Sequence, residues 1–394
     1  MTSFRAFAVS LLACSVGVGL PAGARAADIN NWPIKYTAPG GSEWMLYGNY
    51  QYDWMDVSGS KKLEDAHTNR RKEFGFIARK KDQWDAMVYF DFQSKQWLDV
   101  YWRMETKWLF GQDYGKLRFG YSKLPVGFEG VTSARNDSFM ELALPLQAFY
   151  ETRRTGIDWA FERPTYLINA GYYFGEDLQG DNDGTTVAAR AAWTPLKKEG
   201  DVLHLGVSAS VEHPDATTDG RGVDHSPAAR WRARPEAGLT TVRLIDSGSL
   251  SHVDSNRRLG LEGLWIHGPL SFQGEYLHAH SERADGLPDY TADGWYAFGS
   301  YVLTGESRPY TAGNVGNIKP RGAWGAVELL MRYSTLDLDH GKILGGREHD
   351  LTFGANWYLT QHFKFQANYV KVHATRQGKR EDPDILELRA QVYF

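Results

Sequence analysis

Cysteine is all but missing: among 394 residues there is one, Cys14. That excludes a disulfide framework, a cysteine-built zinc site and any thiol chemistry in the body of the chain. Proline is sparse at 15 residues, and nowhere after the first 26 residues do 18 consecutive apolar residues occur, so no membrane-crossing helix is expected. Neither sign of charge dominates, with 44 basic and 48 acidic residues and a formal charge of -4, which speaks against a nucleic-acid partner. HExxH and Gly-x-Ser-x-Gly signatures are absent, as is a glycine-rich phosphate loop ahead of a helix. What is plentiful is aromatic: 14 Trp, 21 Tyr and 19 Phe, with 41 Gly. Dense Trp and Tyr without a long apolar run point to strands.

Residues 1–26 read as a secretory signal. Arg5 supplies the positive start, residues 7–20 the apolar stretch, and Ala24-Arg25-Ala26 a small-x-small cleavage site before Ala27. A competing reading takes Leu11-Leu12-Ala13-Cys14 as a lipobox, which would leave an apolar stretch where a polar tether is usual. Removing Arg5 and Arg25 takes the formal charge from -4 to -6. The remainder holds no cysteine, which suits passage through an oxidising periplasm. Residues 27–43 read as an irregular periplasmic segment ahead of one domain spanning 44–394.

From there the chain falls into alternating segments of about ten residues, the length a tilted strand needs to cross a bilayer. Trp84, Ala86, Val88, Phe90 and Phe92 alternate with Asp85, Met87, Tyr89 and Asp91. Leu117, Phe119 and Tyr121 alternate with Lys116, Arg118, Gly120 and Ser122, and Leu386, Leu388, Ala390 and Val392 with Glu387, Arg389, Gln391 and Tyr393. A soluble sandwich shares this period. Aromatics at the segment ends favour the interfacial girdles of an outer-membrane barrel: Trp44, Tyr47, Tyr52 and Trp54; Trp97, Tyr101, Trp102 and Trp108; Trp357 and Tyr358. Counting directions from both ends, residues 202–212 form a ninth strand running outward and 256–267 a strand running inward. One strand-like run, 238–245, lies between them, and one more strand would break parity. Residues 213–255 are therefore expected to be a long external loop. The fold class is all-β: a 16-stranded antiparallel transmembrane β-barrel.

Two stretches fit no strand. Residues 123–153 leave the fifth strand on the external side, and in so wide a barrel such a loop folds into the lumen to narrow it. A surface loop is the competing reading. Residues 305–321, rich in Gly and Pro, are long for a periplasmic turn.

The run Gly120-Tyr-Ser-Lys-Leu-Pro-Val-Gly-Phe-Glu129, with Thr132-Ser-Ala-Arg-Asn136 and Phe139-Met-Glu-Leu-Ala-Leu-Pro145, resembles the phosphate-selective porins of the O and P family. Val302-Leu-Thr-Gly-Glu-Ser-Arg-Pro-Tyr310, Gly322-Ala-Trp-Gly-Ala-Val-Glu-Leu-Leu-Met-Arg-Tyr-Ser334, Gly354-Ala-Asn-Trp-Tyr-Leu359 and Gln391-Val-Tyr-Phe394 extend the likeness. The resemblance implies a homotrimeric channel with an inward-folded third loop, where basic residues draw phosphate-like anions to a constriction. It implies outer-membrane lipid and lipopolysaccharide as surroundings, Phe394 as a mark read by the insertion machinery, and neither catalysis nor a cofactor.

Strand faces nominate Arg79, Arg103, Lys107, Lys116, Arg118, Arg154, Arg190, Arg332, Lys364 and Arg389 as basic lumen residues. The same faces carry Asp85, Asp91, Glu105, Asp158, Glu328 and Glu387, so the lumen is mixed. Lys123 and Arg135 match the family's third-loop segment and are expected at the constriction, alongside Glu129, Asp137 and Glu141. The anion-binding or pore-lining set is thus Lys123, Arg135, Arg118, Lys116, Arg103, Arg79 and Arg154. A fixed cation replaces part of an anion's hydration, Arg through paired donors and Lys as a point charge. For each, the competing role is an ion pair that holds the wall in shape. A general diffusion porin would share the barrel and differ in the lumen, and a barrel hydrolase would need a Ser-His-acid geometry that sequence does not reveal. His278 and His280 share a strand face, without a third ligand for a metal. The acidic run 176–184 lacks calcium-loop spacing and reads as a solvated external loop.

Overall fold

A computed structural model describes residues 35–180, 182 and 184–394. The signal segment, Cys14 and residues 27–34 lie outside the described residues, as do Asp181 and Asp183 of the acidic run. Sixteen strands form the wall. The first eight are β1 (Glu43–Ser58), β2 (Ala66–Lys80), β3 (Trp84–Asp91), β4 (Gln96–Glu105), β5 (Lys116–Lys123), β6 (Arg153–Arg163), β7 (Tyr166–Tyr173) and β8 (Thr185–Lys198). The rest are β9 (Asp201–His213), β10 (Val253–His267), β11 (Leu270–Arg283), β12 (Tyr290–Val302), β13 (Ala326–His340), β14 (Ile343–Tyr358), β15 (Phe363–Arg376) and β16 (Asp384–Tyr393). Each pairs antiparallel with its neighbour in sequence, and β16 pairs with β1, Gln391 opposite Gln51, to close the sheet. Closure leaves no edge strand with unpaired backbone groups. Residues 35–37 add a short rung beside the start of β1.

β9 pairs directly with β10, Val202 opposite Ile266, so residues 214–252 contribute no wall strand. Tight connections such as 164–165, 199–200 and 268–269 share one end of the barrel with the start of β1 and the end of β16, which makes that end periplasmic. At the seam, Gly48 and Phe394 exchange backbone hydrogen bonds of 3.0 Å. The Phe394 ring lies so close over Gly48 that a Cβ there would meet it at 2.5 Å.

The period of two sorts the side chains. Val88, Trp102 and Phe119 face outward and are exposed, while Glu387, Arg389 and Gln391 face inward and are buried. Three aromatics assigned to the girdles belong inside instead. Tyr47 and Tyr101 line the lumen, and Tyr358 is fully buried with its hydroxyl donating to Glu328 at 2.9 Å. Proximity along the chain placed them beside Trp44, Trp102 and Trp357, whereas the pleat puts odd and even positions on opposite faces. A bulge in β4 sets both Leu98 and Asp99 against Tyr89, and both reach the lumen. Lys107 lies outside the wall, in a short helix, α1 (Thr106–Phe110), of the periplasmic connection.

Three connections enter the barrel. Residues 124–152 carry α2 (Phe128–Val131) and α3 (Leu144–Phe149), and the rings of Phe139 and Phe149 pack edge-on against Phe298 of β12 and Trp231 of the external connection. Residues 214–252 were expected to be external, but Trp231, Ala237 and Ile245 are buried in contact with the wall and the third loop. The periplasmic connection 303–325 turns inward as well, its Asn317 amide donating to the Arg135 carbonyl at 2.9 Å. Charge explains the inward turn. Arg332 of β13 is fully buried and bonds Glu129 of the third loop at 3.0 Å and Glu236 of the external connection at 2.7 Å. Removing one partner from such a cluster leaves uncompensated buried charge. Arg332→Leu should therefore lower stability by roughly 3–5 kcal/mol, read as a fall in the denaturant midpoint of the detergent-solubilised protein. Glu129→Gln with Glu236→Gln in that background should restore part of it.

Candidate functional site

Loop packing fills the half of the lumen along β9–β16 and leaves a passage against β1–β8. It is a cavity of about 1050 Å³ between that wall, the third loop and residues 311–314 of the periplasmic connection. Nine basic residues line it: Arg71, Arg103, Lys116, Arg118, Lys123, Arg153, Arg163, Arg190 and Lys197. Six acidic residues do: Glu73, Asp99, Glu105, Asp113, Asp137 and Glu162.

The pairing decides what this balance means. Five of the acids each meet a lining base: Glu73 with Arg71 at 2.9 Å, Asp99 with Arg153 at 3.0 Å, Glu105 with Lys116 at 2.7 Å, Asp113 with Arg163 at 3.3 Å, and Glu162 with Lys197. Arg103, Arg118 and Arg190 have their carboxylates, Asp85, Asp158 and Glu262, among residues that do not line the passage. Lys123 pairs with no acid within salt-bridge distance among the described residues. Its ammonium donates to the carbonyls of Gly130, at 2.9 Å, and Thr132, both on the third loop. Arg190 is itself buried, its guanidinium also donating to the Gly313 carbonyl at 2.9 Å, so the passage presents three basic groups, Arg103, Arg118 and Lys123, whose neutralising acids, where present, stand outside it, against one acid unpaired among the described residues, Asp137.

These cations form a continuous face. Arg118 donates to the Lys123 carbonyl at 3.2 Å, and the guanidinium carbons of Arg118 and Arg103 lie 5.4 and 5.8 Å from the centre of the Tyr101 ring. Toward the external end, Arg70 and Arg234 grip opposite oxygens of Glu141 at 2.9 and 3.2 Å, joining the wall and the external connection to the third loop. Burial alone would raise the Glu141 carboxyl, but Arg70, Arg234 and Arg389 outweigh it and hold it at about 2. Asp137 differs: burial pushes it up to about 6 against the pull of Lys123, Lys364 and Arg71.

Of the residues nominated from sequence, Lys123, Arg118, Lys116 and Arg103 line the passage, as does Arg190 from a buried position. Arg135 does not reach it: its guanidinium lies 4.1 Å over the Tyr47 ring and donates to the Phe394 carbonyl at 3.1 Å. Arg154 is buried against Asp177 at 2.9 Å and Glu151 at 3.3 Å. Arg79 pairs with Glu43 at 2.7 Å near the periplasmic end of β1. Lys364 donates to the third-loop carbonyls of Arg135 and Asp137, and Arg389 clamps Asp53, so both support the packed half. Arg71, Arg153, Arg163 and Lys197 were missed. Stepping back in twos from Arg79 reaches Arg71 and Glu73, so Arg71 was legible, whereas Arg153 sits at the loop boundary where the period had not begun. His278 and His280 alternate with buried Leu277, Ala279 and Ser281 and so face away from the lumen.

The sequence and the fold both match known proteins. The family model for phosphate-selective porin O and P matches residues 45–394. Porin O of Pseudomonas aeruginosa is 30% identical over 258 residues, 54% of this chain and 55% of that protein. The chain spans about half the length of the curated relatives it matches. Among solved structures, OmpT of Vibrio cholerae, an outer membrane protein also solved in a trimer form, superposes with a TM-score of 0.58 at 13% identity, covering 90% of this chain and 98% of its own. An anion-selective porin from Comamonas acidovorans gives 0.57 at 12% identity, covering 90% and 100%.

Asp137 generates a pH prediction. Below about pH 6 its carboxyl is neutral and above that it is charged, so the passage gains one negative charge as pH rises through this point. The zero-current potential under a KCl gradient should shift toward anions between pH 7.5 and 5. In Asp137→Asn the acidic-pH value should hold at both.

Proposed function

The chain belongs to the phosphate-selective porin O and P family and so to the porins of the Gram-negative outer membrane, and from this premise we propose that its passage conducts small anions, phosphate among them. Family and fold alike point to a channel rather than an enzyme. The observation that carries the anion reading is the uneven pairing: Arg103, Arg118 and Lys123 face the passage while their acids, where they have any, stand outside it. A low-dielectric passage lined this way raises the local anion concentration and replaces part of the lost hydration. Conduction is passive. The five lining ion pairs favour a second reading, a weakly selective diffusion porin, because they add no net charge.

We further read the protein as a homotrimer, which the trimer form of OmpT supports, set among outer-membrane lipid and lipopolysaccharide. Residues 1–26 would serve as its export signal and Phe394 as a contact for the insertion machinery.

Planar-bilayer recording tests the channel. Under a KCl gradient the zero-current potential should show anion preference, and added phosphate should reduce the chloride current. Arg118→Gln and Lys123→Gln should each lower the anion-to-cation permeability ratio by about twofold or more, as the loss of one partly desolvated charge implies. A cation-preferring potential in the unaltered protein would overturn the proposal. Anion preference that ignores phosphate would leave the diffusion-porin reading.

A further inference from the structure

We propose that the passage favours organic anions, a charged head on an apolar or aromatic body, over inorganic oxyanions. This rests on the anion-channel reading above and deepens it. The passage is amphipathic. On the wall side Tyr47, Met87, Tyr89, Leu98 and Tyr101 lie together as one patch on β1, β3 and β4; all five line the cavity, Tyr47 and Tyr101 half-buried and Met87, Tyr89 and Leu98 through under a tenth of their surface. Across from them the third loop adds Pro125, Val131 and Leu142. The cationic face adjoins this patch directly, since Arg103 and Arg118 stand over the Tyr101 ring.

A hydrated inorganic anion gains little from the apolar carbons of such walls, because partial desolvation beside groups that cannot hydrogen-bond is unfavourable. An anion with an apolar body seats its head at the guanidinium groups and covers the patch with its body, and both contacts stabilise it. Aromatic bodies gain further from offset or edge contacts with the tyrosines. The size agrees: about 1050 Å³ lies at the upper end of cavities that hold organic ligands.

Inorganic phosphate and phenyl phosphate share a head group and differ in the body, so each is titrated against the chloride current at pH 7.5. Half-block by phenyl phosphate is expected at a concentration about tenfold lower, the gain from burying a ring's apolar surface. Met87→Gln with Leu98→Asn should bring the two half-block concentrations toward equality, and Leu98→Asn alone should go part of the way if the double variant does not insert. The zero-current potential of the same channels separates the failures. Cation preference removes the anion reading on which the proposal rests. Anion preference with equal or stronger block by inorganic phosphate, with no block by phenyl phosphate, or with a ratio indifferent to the variants overturns this proposal alone.

Discussion

Charge buried on the inner wall is the constraint on which the rest of this structure depends. A barrel of 16 strands has no core of its own, and its inner faces here carry arginines that water alone does not serve. Arg332 is neutralised by Glu129 and Glu236, each brought in on a different connection. Arg389 is held by Asp53 at 2.6 Å and donates to the Met140 carbonyl at 3.0 Å. Arg308, arriving on the periplasmic connection, meets Glu328 of β13 and Ser138 of the third loop. Buried pairs of this kind add little net stability over an apolar core but penalise any arrangement that separates them. They act as registers, fixing where each loop lies.

That filling is lopsided, and the lopsidedness makes the passage. The third loop crosses the lumen and docks on β11, where the Glu275 carboxylate accepts the backbone N–H groups of Phe128 and Glu129 at 2.6 and 2.7 Å. Its helix α3 then packs into an apolar cluster with β11, β12 and β13. These contacts pack the loop against that side of the wall. What stays open is the strip facing β1–β8, whose middle strands β3 to β7 have 8 to 11 residues, against 13 to 16 in β9–β15. The passage is therefore a seam between a loop and the wall rather than the bore of the cylinder, and its chemistry is that of the few residues along the seam.

Much of the wall was legible because lipid imposes a two-residue period that water on both faces would not. Lys116, Arg118, Asp85 and Arg389 could be placed inward from their apolar neighbours alone. Parity likewise ruled out a wall strand between β9 and β10. The interior was less legible, for a physical reason. Nothing local in residues 214–252 or 303–325 marks them as inward, since the forces that draw them in come from partners far away in sequence: Glu236 from Arg332, Arg308 from Glu328. Arg135 illustrates the same point. A loop position matched it to the constriction, but the Tyr47 ring and the terminal carbonyl of Phe394 hold its guanidinium aside. Arg154 was placed on the inward face and does face inward, yet Asp177 and Glu151 absorb it. Face is a property of the strand, whereas accessibility is a property of what the loops bring to it.

Composition could not have revealed the sign of the passage. The chain as a whole is acidic, at -4, and even its lumen faces alternate in charge. What separates a neutral wall from a cationic one is the side from which each acid approaches. Asp99 meets Arg153 within the passage and cancels it there. Asp85 and Asp158 sit outside the lining, so Arg103 and Arg118 keep part of their field toward the opening while remaining locked in orientation. An arginine held this way is preorganised: its planar donors are fixed before a solute arrives, and little conformational entropy remains to be lost on contact. Weak binding at several such groups, rather than strong binding at one, is what a conducting passage requires, because a solute held too well does not leave. In the proposed anion channel the outside carboxylates therefore act twice, by fixing the cations in place and by moderating their pull.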